Sequence, residues 1–116
     1  MEKNIAILLP YKEKYTLNES AAASIWVKDY LKKSSLEKQT LVFGNLSRNK
    51  TPLTENFINL NIENVKFKKN YFYTKRFLEK CRKFNFQIIE IHNRPESLNY
   101  LLEKKIRSKI IFVYYN

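Results

Sequence analysis

The amino-acid sequence predicts an α/β domain built on a parallel sheet with crossover helices, and three observations carry that prediction. Short runs of uninterrupted apolar residues recur along the chain, helical apolar stripes stand between them, and breakers mark the changes. Continuous rather than alternating apolar runs indicate strands covered on both faces.

The first run, Ile5-Ala6-Ile7-Leu8-Leu9, stops at Pro10 and reads as a buried strand. Residues 11–16 are polar and form a loop. Asn18 or Ser20 caps a helix that continues to Lys33, with Ala22, Trp26 and Tyr30 at i, i+4 and i+8 and with Ile25, Val27 and Leu31 widening the apolar face. Thr40-Leu41-Val42-Phe43 is a second strand, ended by Gly44, the only glycine, which is expected to supply a conformation that other residues resist. Residues 45–61 are the least regular stretch, tethered by Phe57, Ile58, Leu60 and Ile62, and Asn64-Val65-Lys66-Phe67 reads as a short edge strand. Asn70 then caps a helix whose buried stripe is Tyr73, Phe77, Cys81 and Phe84. Cys81 belongs to that stripe and is a core residue. Gln87-Ile88-Ile89-Glu90-Ile91 is a third strand, and Asn93 or Arg94 precedes Pro95, a residue suited to the first position of a helix carrying Leu98, Leu101, Leu102 and Ile106. Residues 109–114 form a last strand, expected to be central and buried. The alternation of strands and helices defines a Rossmann-like parallel sheet of about four to five strands over residues 1–116. A chain that stops at the tip of a central strand reads as a fragment.

Composition narrows the functions. The chain has 116 residues, of which 44% are hydrophobic and 15% aromatic, enough for one domain with a packed core. Its net charge of +11 favours polyanions, either nucleic acid or an anionic membrane surface. A lysine-rich solvated face, as an AT-rich coding bias produces, accounts for the same charge. No apolar run approaches the roughly 18 residues of a spanning helix, and the N-terminal run lacks the form of a signal peptide, so a cytoplasmic location is expected. No glycine fingerprint follows the first strand, which removes support for a dinucleotide site or a P-loop. One histidine and one cysteine fall short of a zinc site, and no serine stands in a nucleophile elbow. Residues 66–73 interleave lysines with aromatics as a single-strand-binding surface does, although a helix start explains most of that pattern.

Ligands of open parallel sheets bind beyond the carboxyl ends of the strands. Those ends carry residues 10–14, Gly44-Asn45, residues 92–96 and Tyr115-Asn116. The third group sets His92, Asn93, Arg94 and Glu96 at the opening of a helix, where amide groups and the Arg94 fork can hold an anion or sugar hydroxyls. His92 has a side chain suited to moving protons near neutrality. Helix-start chemistry accounts for Asn93, Pro95 and Glu96 as well, and Arg94 also has Glu90 and Glu96 as nearby ion-pair candidates.

The segment Ile88-Ile89-Glu90-Ile91-His92-Asn93-Arg94-Pro95-Glu96, with Leu101 and the strand Ile110-Ile111-Phe112-Val113-Tyr114-Tyr115-Asn116 after it, resembles the N-terminal domain of the GT-B glycosyltransferases. Within that group it is similar to the large family of retaining enzymes that build lipopolysaccharide, capsule and glycolipids. The resemblance implies an acceptor-side half, with His92 as the candidate catalytic residue and Asn93, Arg94, Glu96, Tyr115 and Asn116 at the acceptor. It implies no cofactor in this chain, a nucleotide-sugar donor on a C-terminal domain that is absent, and a glycan or lipid acceptor. It further implies peripheral contact with the inner membrane through the basic residues of 66–83. Two features depart from the family pattern: residues 10–14 contain no glycine, and Tyr115 replaces a frequent histidine. Tyrosine does not move protons near neutral pH without a large shift, so the resemblance points to acceptor binding before catalysis. The alternative is a small basic α/β module that binds nucleic acid or a protein partner without catalysis, and a third reading is a degenerate fragment with no independent role.

Overall fold

A computed structural model of the chain describes residues 2–16 and 22–114, with the side chains of 22 and 23 outside that description. The helix caps expected at Asn18 or Ser20, the side chain of Ala22, and Tyr115 and Asn116 therefore lie outside the described residues. The strands β1 (Ile5–Leu8), β2 (Thr40–Gly44), β3 (Phe57–Asn59), β4 (Ile88–His92) and β5 (Lys109–Val113) form one all-parallel sheet in the order β3-β2-β1-β4-β5. This is the Rossmann-like α/β fold that the alternation predicts. Helices α1 (Ala22–Lys33), α2 (Lys69–Cys81) and α3 (Pro95–Glu103) cover it.

The topology follows from handedness. The chain steps from β1 outward to β2 and β3, then returns across the sheet to β4 and β5 on the other side of β1. Right-handed crossovers put α1 on one face and α2 with α3 on the opposite one. The alternation of β1 serves both: Ala6 and Leu8 pack with Tyr73, Phe77 and Leu101, while Ile7 and Leu9 pack with Val27 and Leu31. That is why β1 is apolar without interruption. Each fully buried aliphatic side chain of this kind contributes roughly 1.5–3 kcal/mol.

Several expectations give way to the three-dimensional arrangement. The edge strand is Phe57–Asn59, paired with Val42, Phe43 and Gly44, rather than residues 64–67. The latter turn toward α2, and Phe67 is exposed. In α1 the buried stripe is Ser24, Val27 and Leu31, while Ile25, Trp26 and Tyr30 point outward. Both sets have helical spacing, and only the position of the sheet selects between them. α2 begins at Lys69 after Lys68, which adopts a left-handed conformation, so Asn70 sits inside the helix instead of capping it. Tyr73, Phe77 and Cys81 are buried as expected, but Phe84 lies past the helix end and is partly exposed. In α3, Arg94 is the residue before Pro95 at the helix start, Leu101 is buried, and Leu102 is exposed. β5 is an edge strand with Ile111 partly exposed, rather than a central one. Of the three α-helices, α1 alone packs on its side of the sheet.

Gly44 is needed for space and not for conformation, since no glycine has a positive φ. A Cβ placed there would meet ring carbons of Phe57 at 2.9 and 3.1 Å. That ring stacks on Tyr15 with centroids 5.4 Å apart. No described helix is long and apolar enough to cross a membrane. Substituting Gly44→Ala is expected to push Phe57 off Tyr15 and to destabilise the fold by about 1–3 kcal/mol, as overpacking does. Urea denaturation would measure this, and an unchanged midpoint would show that the ring moves aside freely.

Candidate functional site

The order of strands reverses between β1 and β4, and such a switch point leaves a crevice beyond the carboxyl ends of the two strands. The chain leaves β1 through Pro10 and Tyr11, and leaves β4 through Asn93 and Arg94. A cleft of about 670 Å³ opens there, bounded by Tyr11, Arg94 and Glu96 and by the first turns of α2 and α3. A neighbouring hollow of about 390 Å³ shares Tyr11 and Lys69 with it and adds Lys12, Lys14, Asn45 and Glu63.

Buried polar contacts hold the walls. The Tyr73 hydroxyl donates to the Leu9 carbonyl at 2.5 Å, tying α2 to the end of β1. Asn70 donates to the Ser97 hydroxyl at 3.2 Å, and Thr74 and Ser97 share a hydrogen bond of 2.8 Å, so the starts of α2 and α3 are joined. Across the gap, the rings of Tyr71 and Tyr100 meet edge to face at 5.5 Å. Asn45 braces the opposite rim: its amide donates to the Tyr11 carbonyl at 3.2 Å, and its side-chain oxygen accepts from Ile62 N–H at 3.1 Å. Lys68 and Arg94, the residues before α2 and α3, make no side-chain capping bond, so the first-turn amides there rely on other partners.

Tyr11 lies over Tyr73 with centroids 6.0 Å apart, and the Arg94 guanidinium stands 5.5 Å from the Tyr11 centroid. Arg94 Nε is enclosed and has no hydrogen-bond partner. Burial pushes the Tyr73 phenol well above its usual value of 10.0; the Glu13 carboxylate adds to this and Arg94 opposes it. Burial likewise raises the Cys81 thiol to about 12, consistent with its place in the core.

The residues singled out in the sequence part company here. Arg94 and Glu96 line the cleft. Asn93 is the pivot between β4 and α3: its φ is 57°, its N–H donates to the Val113 carbonyl at 2.8 Å, and it does not line the cleft. His92 is fully enclosed on the α1 face, because residues two apart on a strand point to the same side and it follows Glu90. Its Nε2 lies 2.7 Å from Glu90 Oε1, and Trp26 covers the ring at 5.4 Å between centroids. The cleft also takes in Tyr11, from the strand-end loop of residues 10–14, Lys68, Lys69 and Asn70, from the lysine and aromatic run of residues 66–73, and Tyr100, which no local pattern marks. Tyr11 had a signal, since it directly follows the breaker that ends the first strand; the others are brought in by long-range folding. Among the described residues, no group of His, Cys, Asp and Glu could hold a metal ion.

The chain is a Rossmann-like α/β domain with a cleft at the switch point. No protein family, curated protein or solved structure matches the chain.

The phenol shift fixes a sign. The neutral form of Tyr73 is favoured in the fold, so its contribution is complete below pH 10 and is lost as pH rises and the unfolded chain releases the proton. Tyr73→Phe is expected to cost about 1 kcal/mol at pH 7 through the lost bond to Leu9. It should also lessen the loss of stability between pH 9 and 11, leaving the part due to Tyr15, Tyr100 and the Cys81 thiol, all of which burial also raises. Chemical denaturation across that range measures both effects, and an unaltered alkaline slope would contradict the assignment.

Proposed function

We propose that this chain is the acceptor-binding domain of a glycosyltransferase of the GT-B type, which transfers a sugar from a nucleotide-sugar donor to a glycan or lipid acceptor. The observation that carries the reading is that Arg94 and Glu96, from the segment most similar to that family, stand with Tyr11 at the switch-point cleft. The chemistry suits a polyhydroxylated ligand. Arg94 donates a planar fork of N–H groups, the Glu96 carboxylate accepts from hydroxyls, and Tyr100 offers ring surface to the C–H face of a pyranose. A cleft of about 670 Å³ is within the range of ordinary small-ligand sites. The donor is held by a second domain in this reading, and transfer takes place between the two.

His92 has no direct role in the proposal, because its ring is enclosed behind Trp26 and paired with Glu90. Its part is to pin the end of β4, from which Arg94 is projected. The enzyme's proton transfers are left to other groups.

Calorimetric titration of the chain with a panel of bacterial oligosaccharides tests the reading. One or more should bind, with Arg94→Ala weakening affinity by about tenfold or more, the scale of a lost charged hydrogen bond. Ile25→Ala, on the opposite face, should leave affinity unchanged. Binding of single-stranded nucleic acid with a steep salt dependence, and no response to any saccharide, would favour the basic binding module instead.

A further inference from the structure

The charge of the cleft goes further than a neutral sugar requires. Lys12, Lys14, Lys68, Lys69 and Arg94 line the two joined hollows against Glu63, Glu96 and Glu103, and with the Glu13 carboxylate that acts on Tyr73 beneath them the excess is one positive charge. The cations are not spent on those carboxylates. Among the described residues, no ion pair engages Lys68, Lys69 or Arg94. Lys69 belongs to the lining of both hollows. Arg94 is the most telling. Its guanidinium rests on the Tyr11 ring, its Nε is enclosed, and no acceptor in the described chain satisfies it. An enclosed N–H without an acceptor is costly, and the rest of the half-buried fork faces the cleft, where a ligand can complete it. Lys68, in a left-handed conformation just before α2, adds a further cation to the lining of the cleft.

A neutral sugar supplies hydroxyls that both donate and accept, whereas this set of cations only donates. The ligand that fits carries acceptor oxygens and negative charge together. We propose that the acceptor is a phosphorylated one, a sugar or polyol bearing a phosphate ester, with the phosphate between Arg94 and Lys69 and the hydroxylated part toward Glu96 and Tyr100. A tetrahedral phosphate presents several oxygens at once, so it can take the planar Arg94 fork and a lysine ammonium from different directions. This inference rests on the acceptor reading and narrows it to one substrate class. A soluble sugar phosphate and a lipid headgroup share that chemistry.

Four probes separate the possibilities in titrations of the whole chain: glucose, glucose 6-phosphate, inorganic phosphate, and glycerophosphoinositol as a soluble headgroup. The proposal expects a phosphorylated probe to bind at least about tenfold more tightly than glucose and to weaken as salt rises. Arg94→Gln and, separately, Lys69→Gln should erase most of that advantage, while Lys38→Gln, far from the cleft, should not. Amide spectra of each variant establish that it remains folded, and Lys69→Gln stands as the test should Arg94→Gln unfold. Tighter binding of the diester assigns the site to a lipid headgroup, and tighter binding of the monoester assigns it to a sugar phosphate; both support the inference. Equal affinity for glucose and its phosphate, with Arg94→Gln weakening both, overturns the phosphate while the acceptor reading stands. Inorganic phosphate binding as tightly as any phosphorylated probe overturns the inference, because the polyol then contributes nothing. Failure of all four probes to bind overturns it as well, and the oligosaccharide panel then decides the broader reading alone.

Discussion

The hydrogen bond from the Tyr73 hydroxyl to the Leu9 carbonyl is the contact on which the cleft depends. A parallel sheet ends abruptly at its carboxyl edge, and a main-chain carbonyl there needs a partner once the strand's neighbours diverge. Tyr73 supplies it from a helix whose sequence position is 64 residues away. The same ring forms the floor beneath Tyr11, and Tyr11 in turn supports Arg94. Three elements distant in sequence are thereby stacked in one column: the end of β1, the first turns of α2, and the start of α3. The link through Asn70, Thr74 and Ser97 then sets the spacing of the two helices and with it the width of the cleft.

The opposite face of the sheet is organised differently. There, Glu90 and His92 bury a polar pair under Trp26, and Trp26 stacks on Tyr30 at 5.2 Å. Buried ionisable side chains are tolerated only with partners, and these two are each other's. The arrangement fixes the last residues of β4 in place. Asn93 then reverses direction in a left-handed conformation that asparagine adopts more readily than most residues. Strand, pair and pivot together aim Arg94 away from the α1 face and into the crevice. The single histidine is thus a structural neighbour of the site, although its chemistry invites a more direct role.

The sequence carried the strands of the sheet centre and the helices in outline, because continuous apolar runs and helical stripes are local signals. β1, β2 and β4 lie where the runs of Ile, Leu, Val and Phe place them. What failed were choices that only tertiary context settles. Apolar residues surround α1, so periodicity alone could not decide between Trp26 and Val27 as the inward side chain. The edge strand at Phe57–Asn59 is three residues long and is defined by pairing with β2, while Val65 and Phe67 offered an equally apolar stretch nearby. In the site, Arg94 and Glu96 were legible because Pro95 announces a helix start. Lys69 and Tyr100 were not, since nothing local says that α2 and α3 begin side by side. His92 was misplaced for a related reason: alternation along β4 determines its face, and it shares that face with Glu90.

The central claim is that the crevice between the ends of β1 and β4 is the ligand site. Amide chemical-shift mapping of the isotope-labelled chain, titrated with a saccharide that binds, tests it most directly. The account predicts that the perturbed resonances gather at Tyr11, Lys69, Asn70, Arg94 and Glu96, around the column of Tyr11 and Tyr73. Perturbations that gather instead at Ile25, Trp26 and Ile111, on the face covered by α1, would contradict it.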